Sequence, residues 1–238
     1  MNASGELIDR IPLALDVEAV LRHMGGVSGP AAAGVRADIE RLRRRALEIV
    51  APRVVLRLVA VEGIADGLVH LAGGQHFTSK KLGTLLAGAE SLAVMVGTIG
   101  EALEEEVSRL FAASDYMDAL ALDAIGSVAV EEACQHVRSL VCRRYAAPAG
   151  LQVGPSLSPG YQYWDIRDQR VVFALVPAGD VGVSLTDSCL MVPRKSESAI
   201  VPLGRNLRVT AGEDEPPCRF CDRQNCPART IFSNKEVR

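Results

Sequence analysis

Aromatic residues are scarce in this 238-residue chain: Phe, Tyr and Trp make up 4% of it, with a single Trp. A core must therefore be filled by Ala, Val, Leu and Ile, and a hydrophobic content of 48% supplies enough of them for one sizeable domain. No apolar run approaches the roughly 18 residues that a membrane span requires. The first ten residues are polar and include Glu6 and Asp9, unlike a signal peptide, so a cytoplasmic location is expected. Charge of neither sign dominates: 26 Lys and Arg face 29 Asp and Glu, a net −3. That balance gives no electrostatic reason to bind nucleic acid or an anionic membrane. A Gly-rich phosphate loop and an internal repeat are both missing, and Ser184 and Ser188 have no His placed to make a nucleophilic pair.

What is there reads as a mixture of strands and helices without strict alternation. Ile11–Leu15 is a short apolar run, expected as a strand, and Asp16 is placed to cap a short helix ending near Gly25-Gly26. Val35, Ile39, Leu42, Ala46 and Ile49 recur at helical spacing, with Arg41, Arg43, Arg44 and Arg45 mostly on the solvated faces. Strands are expected at 54–61, 68–71, 92–96, 181–185 and 198–203. Helices are expected at 80–87 behind Ser79, through Glu104-Glu105-Glu106 to Leu110, from about Tyr116 to Tyr145 with Asp115 as its cap, and over 165–175 with Gln169 facing out. Gly126, Ser127 and Ala129 on the long helix leave room for a close neighbour. The pattern predicts an α+β fold with a largely antiparallel sheet and flanking helices over 1–210, and a separate Cys-containing tail over 211–238.

Two constellations carry chemistry. Ser158-Pro159-Gly160-Tyr161, with Trp164 nearby, is a turn in which Pro fixes one angle and Gly tolerates conformations closed to other residues. Such a turn can aim backbone polar groups at a ligand, and Tyr161 and Trp164 could cover a flat ring. The second is Cys218-x-x-Cys221-x-x-x-x-Cys226, bordered by Pro216-Pro217 and Pro227. Three thiolates at this spacing can converge on one zinc ion or an iron–sulfur cluster, the fourth zinc ligand coming from Cys189, Cys134, Cys142, His76 or His136. His70 and His76, flanking Gly73-Gly74, are expected to face solvent, with a metal role open. Glu104-Glu105-Glu106 reads as a solvated helix face, and Cys134 and Cys142 as small core residues.

Several ordered motifs resemble the activation domain of cobalamin-dependent methionine synthase. Ser158-Pro159-Gly160-Tyr161 is similar to that family's Pro-Gly-Tyr turn. Leu185-Thr186-Asp187-Ser188, with Met191 and Pro193 following, is similar to its Leu-Thr-Glu-Ser stretch, and Ser196-Glu197-Ser198 to its Ser-x-Ser. Leu122-Asp123-Ala124 and Glu131 fall in a helix like the family's long one, and Val96-Gly97-Thr98-Ile99-Gly100 recurs in short members. The resemblance covers residues 75–205, and more weakly those before. It implies an activation-domain-like fold in a free-standing member. It further implies an accessory protein that binds S-adenosylmethionine and supports reductive methylation of cobalamin. Pro159, Gly160, Tyr161, Thr186, Asp187, Ser188 and Lys195 would bind the ligand, with Glu131 as a further polar contact. The family's Arg four residues before the motif Gly is Ser156 here, so either Arg194 or Lys195 grips the ligand carboxylate, or the ligand binds weakly, or it is one other than S-adenosylmethionine. No Asp-x-His-x-x-Gly motif occurs, so cobalamin would be carried by a partner methyltransferase or corrinoid protein, reduced by an electron donor. A tail cluster could deliver that electron. Other roles compatible with the same motifs are an enzyme acting on free corrinoid and a metal-stabilised adaptor.

Overall fold

The computed structural model describes residues 5–26, 32–161 and 163–212. In chain order its elements are β1 (Glu6–Ile8), α1 (Val17–His23), α2 (Ala32–Ile49), β2 (Arg53–Ala65), β3 (Leu68–Leu71), β4 (His76–Thr78), α3 (Lys80–Leu85), β5 (Ser91–Thr98), α4 (Ala102–Ala112), α5 (Tyr116–Val141), β6 (Gln152–Val153), α6 (Gln169–Leu175), β7 (Ser184–Leu185), β8 (Met191–Val192) and β9 (Ser196–Gly204).

The continuous apolar run at 92–96 is central because both faces of its strand are covered. β5 lies between β2 and β9 in a seven-stranded sheet of order β4-β3-β2-β5-β9-β6, every pairing antiparallel. β2 is longer than the expected 54–61. It continues through a register shift between Val61 and Gly63, so its first half pairs with β1 and its second with β3. Alternation sorts the side chains. Val54, Leu56, Ala93, Met95, Ala199 and Val201 face α5, against Ala133, Cys134, Val137 and Val141. Val55, Val94, Val96 and Ile200 face the other way, against α3, α6, Phe77 and Trp164. A third cluster packs α1, α2 and α4 on the outer side of α5. With few aromatics, aliphatic interdigitation fills all three.

Several expectations need correction. Ile11–Leu15 is not a strand. Ile11 and Leu15 are buried, but the backbone turns (Leu15 has φ 52°), and the Glu132 carboxylate accepts from the amides of Ala14, Leu15 and Asp16 at 2.8, 2.9 and 3.2 Å. The N-terminal strand is β1 instead. The helix expected over 165–175 starts as a 3-10 turn, Ile166–Asp168, and becomes α-helical only at Gln169. Gln169 does not face out: it is buried, and its Oε1 accepts from Ser198 Oγ at 2.8 Å. The strand expected over 181–185 is reduced to Ser184–Leu185, because Ala178–Val181 forms a 3-10 turn ended by Gly182 in the left-handed region. Asp115 makes no side-chain cap to α5, whereas Asp16 and Ser79 cap α1 and α3 as expected. Glu104 is not part of a solvated face: its carboxylate accepts from Lys195 N at 2.6 Å. Cys134 is buried as expected, while Cys142 is only half-buried. Among the described residues no helix is long and apolar enough to cross a membrane.

Candidate functional site

The Pro-Gly turn is held closed by its own backbone. Gly160 N–H donates to Trp164 O at 2.9 Å and Trp164 N–H to Tyr161 O at 2.8 Å, with Gly160 at φ 97°, a conformation open to Gly and strained for other residues. A Cβ at Gly160 would also meet Ile166 Cδ1 at 3.1 Å. Trp164 fixes the turn to the sheet. It is buried, meets Phe77 edge to face at 5.0 Å, and its Nε1 donates to Asp168 Oδ2 at 2.8 Å. The same oxygen accepts from Thr78 N at 3.1 Å, and Ser79 Oγ donates to Tyr163 O at 2.5 Å. Trp164 is thus part of the floor and cannot lie over a ligand ring as the sequence suggested.

Above that floor is a solvent-open cleft of about 510 Å³, lined by Thr78, Gly160, Tyr161, Tyr163, Trp164, Asp165 and Ile166. Small-molecule sites run from roughly 300 to 1,000 Å³, so the cleft has room for a nucleoside-sized ligand. The Tyr161 and Tyr163 rings are 5.9 Å apart and inclined by 50°. Asp165 accepts from Arg167 N, Nε and Nη2 at 2.8, 3.0 and 2.6 Å, and those bonds hold its carboxyl down at about 2. Asp165 is therefore ionised at neutral pH, with its charge paired by the Arg167 guanidinium.

The other predicted residues lie elsewhere. Thr186, Asp187 and Ser188 are exposed in the turn between β7 and β8 and do not line the cleft. Thr186 Oγ1 accepts from Leu190 N at 3.0 Å, and Arg170 of α6 donates to Asp187 O at 2.8 Å, which ties this turn to the helix that follows the cleft. Lys195 is on the α5 side of the sheet. Its Nζ is 2.9 Å from both Ser127 Oγ and Asp123 Oδ1, and its side chain packs at Gly126, so it is engaged far from Gly160. Arg194 pairs with Glu104 at 3.4 Å.

Glu131 is also on the α5 side, 3.3 Å from His23 Nε2 of α1. Nearby, Glu197 of β9 stands opposite Gly97, beneath Cys134. Burial, with the charge of Glu131 added, pushes the Glu197 carboxyl up to about 8 and leaves it largely protonated at neutral pH. Burial likewise pushes the Cys134 thiol up, which makes it an unreactive core group. Glu131 and the Gly160 cleft are therefore on opposite faces of the sheet.

No family model matches the chain, and no curated protein matches it. Among solved structures it is similar to the MetH reactivation domain bound to AdoHcy, with a TM-score of 0.63, 15% identity, and coverage of 89% of this chain and 81% of that one. The fold is that of the MetH reactivation domain. Of the residues that line the cleft, the sequence singles out Gly160, Tyr161 and Trp164 but not Thr78, Tyr163, Asp165 or Ile166. Tyr163 had a signal: Tyr161 to Trp164 holds three of the chain's ten aromatics. Thr78 had none, since it arrives from a distant hairpin. No group of three or more His, Cys, Asp or Glu among the described residues could hold a metal ion. Cys218, Cys221 and Cys226 lie outside the described residues.

Proposed function

We propose that this chain is a reactivation module that binds S-adenosylmethionine in the cleft at Gly160 and Tyr161 and supports reductive methylation of cobalamin carried by a corrinoid partner. The observation that carries this reading is the open cleft lined by the Gly160 turn, Tyr161 and Tyr163, set in a fold shared with the MetH reactivation domain bound to AdoHcy.

The cleft residues suit that ligand. The Tyr161 and Tyr163 faces can meet a sulfonium or an adenine ring. Pro159, buried beneath the turn, fixes its approach. When bound, S-adenosylmethionine supplies the methyl group that regenerates methylcobalamin once the corrinoid is reduced. The chain's own contribution is to hold and orient the donor. The β7–β8 turn with Thr186, Asp187 and Ser188, joined to α6 through Arg170, is the part of this reading that meets the partner rather than the nucleoside. Glu131 and Lys195 are assigned to holding α5, and contact with the ligand is not part of their role.

Isothermal titration with S-adenosylmethionine tests the site. One saturable event is expected, weakened roughly 10-fold in Tyr161→Ala by the loss of about 1–2 kcal/mol of aromatic contact. An absence of heat and of thermal shift, or an affinity indifferent to Tyr161, would rule out this cleft.

A further inference from the structure

The hairpin that brings Thr78 to the cleft carries two exposed histidines. His70 and His76 are direct cross-strand partners. Leu71 N–H donates to Gln75 O at 2.9 Å, which marks the next pair along as hydrogen-bonded. Such pairs alternate along an antiparallel ladder, so His70 and His76 form a non-hydrogen-bonded pair, the kind whose side chains stand closest. Val69, Leu71 and Phe77 turn inward and are fully buried, leaving both imidazoles on the outer face. Their ring centroids are 6.2 Å apart, with planes inclined by 43°. Gly73 and Gly74, at φ 91° and 79°, close the hairpin tightly and fix this register.

We propose that His70 and His76 form a two-imidazole chelate for a borderline divalent transition cation of the Cu²⁺, Ni²⁺ or Zn²⁺ class, with water completing the coordination. An imidazole nitrogen binds such an ion at about 2.0–2.1 Å, so two rings on adjacent coordination positions have centroids roughly 4.5–5 Å apart. The rings must close by about 1–2 Å, which rotation of exposed side chains achieves without backbone change. The register is built into the folded hairpin, so the second imidazole adds little ordering cost after the first binds. This proposal does not depend on the cleft's ligand or on the tail cysteines. The site is nevertheless close to the cleft: His76 and Thr78 lie on one face of β4, about 7 Å apart along the strand. Phe77, between them, is packed on Trp164, the chain's single Trp. A paramagnetic ion on the histidines therefore sits within quenching range of a unique fluorophore.

The test uses the full chain with Cys218→Ser, Cys221→Ser and Cys226→Ser, so that tail thiolates do not compete. Titration with NiCl₂ and with CuCl₂, followed by calorimetry and Trp164 emission, is expected to give one saturable event with quenching, tighter for Cu²⁺ than for Ni²⁺. His70→Ala and His76→Ala, at exposed positions that leave the fold intact by circular dichroism, should each weaken binding about 10-fold or more, and the double variant should abolish it. Ni²⁺ should raise the Tm of the chain carrying the three tail Cys→Ser changes and leave that of the double His variant made on it unchanged. Absence of saturable binding, or binding of equal strength in the double variant, overturns the proposal.

Discussion

Gly160 and Glu197 illustrate opposite ways in which a single residue matters here. Gly160 is required by its backbone: at φ 97° and with Ile166 Cδ1 at 3.1 Å from any Cβ, no other residue forms the turn without strain. Glu197 matters through its proton. Burial holds its carboxyl up at about 8 in the folded chain, against an ordinary 4.5. Between those values the native state holds a proton that the unfolded state has released, so stability falls as pH climbs from about 4.5 to about 8. Glu197→Gln is expected to flatten that decline and to be the more stable form at pH 9 by roughly 1–2 kcal/mol, the side chain retaining some solvent contact. Urea denaturation of both proteins across this range measures it. A parent whose stability rises over the same interval would contradict the assignment.

At the scale of elements, α5 organises one half of the molecule. Its stripe of Ala133, Cys134, Val137 and Val141 covers the sheet, while Gly126 lets Leu103 of α4 and Lys195 approach closely, with Leu103 Cδ2 only 2.7 Å from where a Cβ would stand. Its Glu132 gathers three consecutive amides of the segment before α1. That cluster replaces the pairing that a strand would have given, which is how an apolar run reads as β and folds as an ordered loop. Glu132→Ala is expected to cost about 1–3 kcal/mol and to speed hydrogen exchange at residues 14–16, read by exchange mass spectrometry. Unchanged protection there would show that the segment is held by Ile11 and Leu15 packing alone. Arg138, nearer the C-terminus of α5, plays a similar part, donating to Gly154 O at 3.3 Å and to Gly212 O at 3.0 Å.

For the whole molecule, the sheet separates two sets of polar groups. The cleft at Gly160 opens beside α6, and the His23, Glu131 and Glu197 cluster lies under α5. The proposed S-adenosylmethionine site belongs to the first side. Mixing the chain with a Co(II) corrinoid protein, S-adenosylmethionine and a reductant is expected to produce the methyl-cobalt absorbance, with the yield reduced in Tyr161→Ala. Equal yield without the chain would remove its accessory role. Anaerobic analysis of the purified protein for iron, sulfide and zinc tests the expectation that the tail cysteines hold a cluster or a zinc ion, and a protein containing none of the three overturns it.

Local patterning alone decided the α+β class, the buried strand at 92–96, the long helix behind Asp115 and the Gly160 turn. Each of these rests on periodicity or on a backbone angle that neighbours in sequence impose. Only the tertiary structure decided that Gln169 points inward, that Trp164 is floor and not cover, and that Glu131 and Lys195 are separated from Gly160 by the sheet. It also brought Thr78 to the cleft and His70 opposite His76. Which face of the sheet a residue joins depends on strand order and register between segments distant in the chain, and no local pattern encodes that.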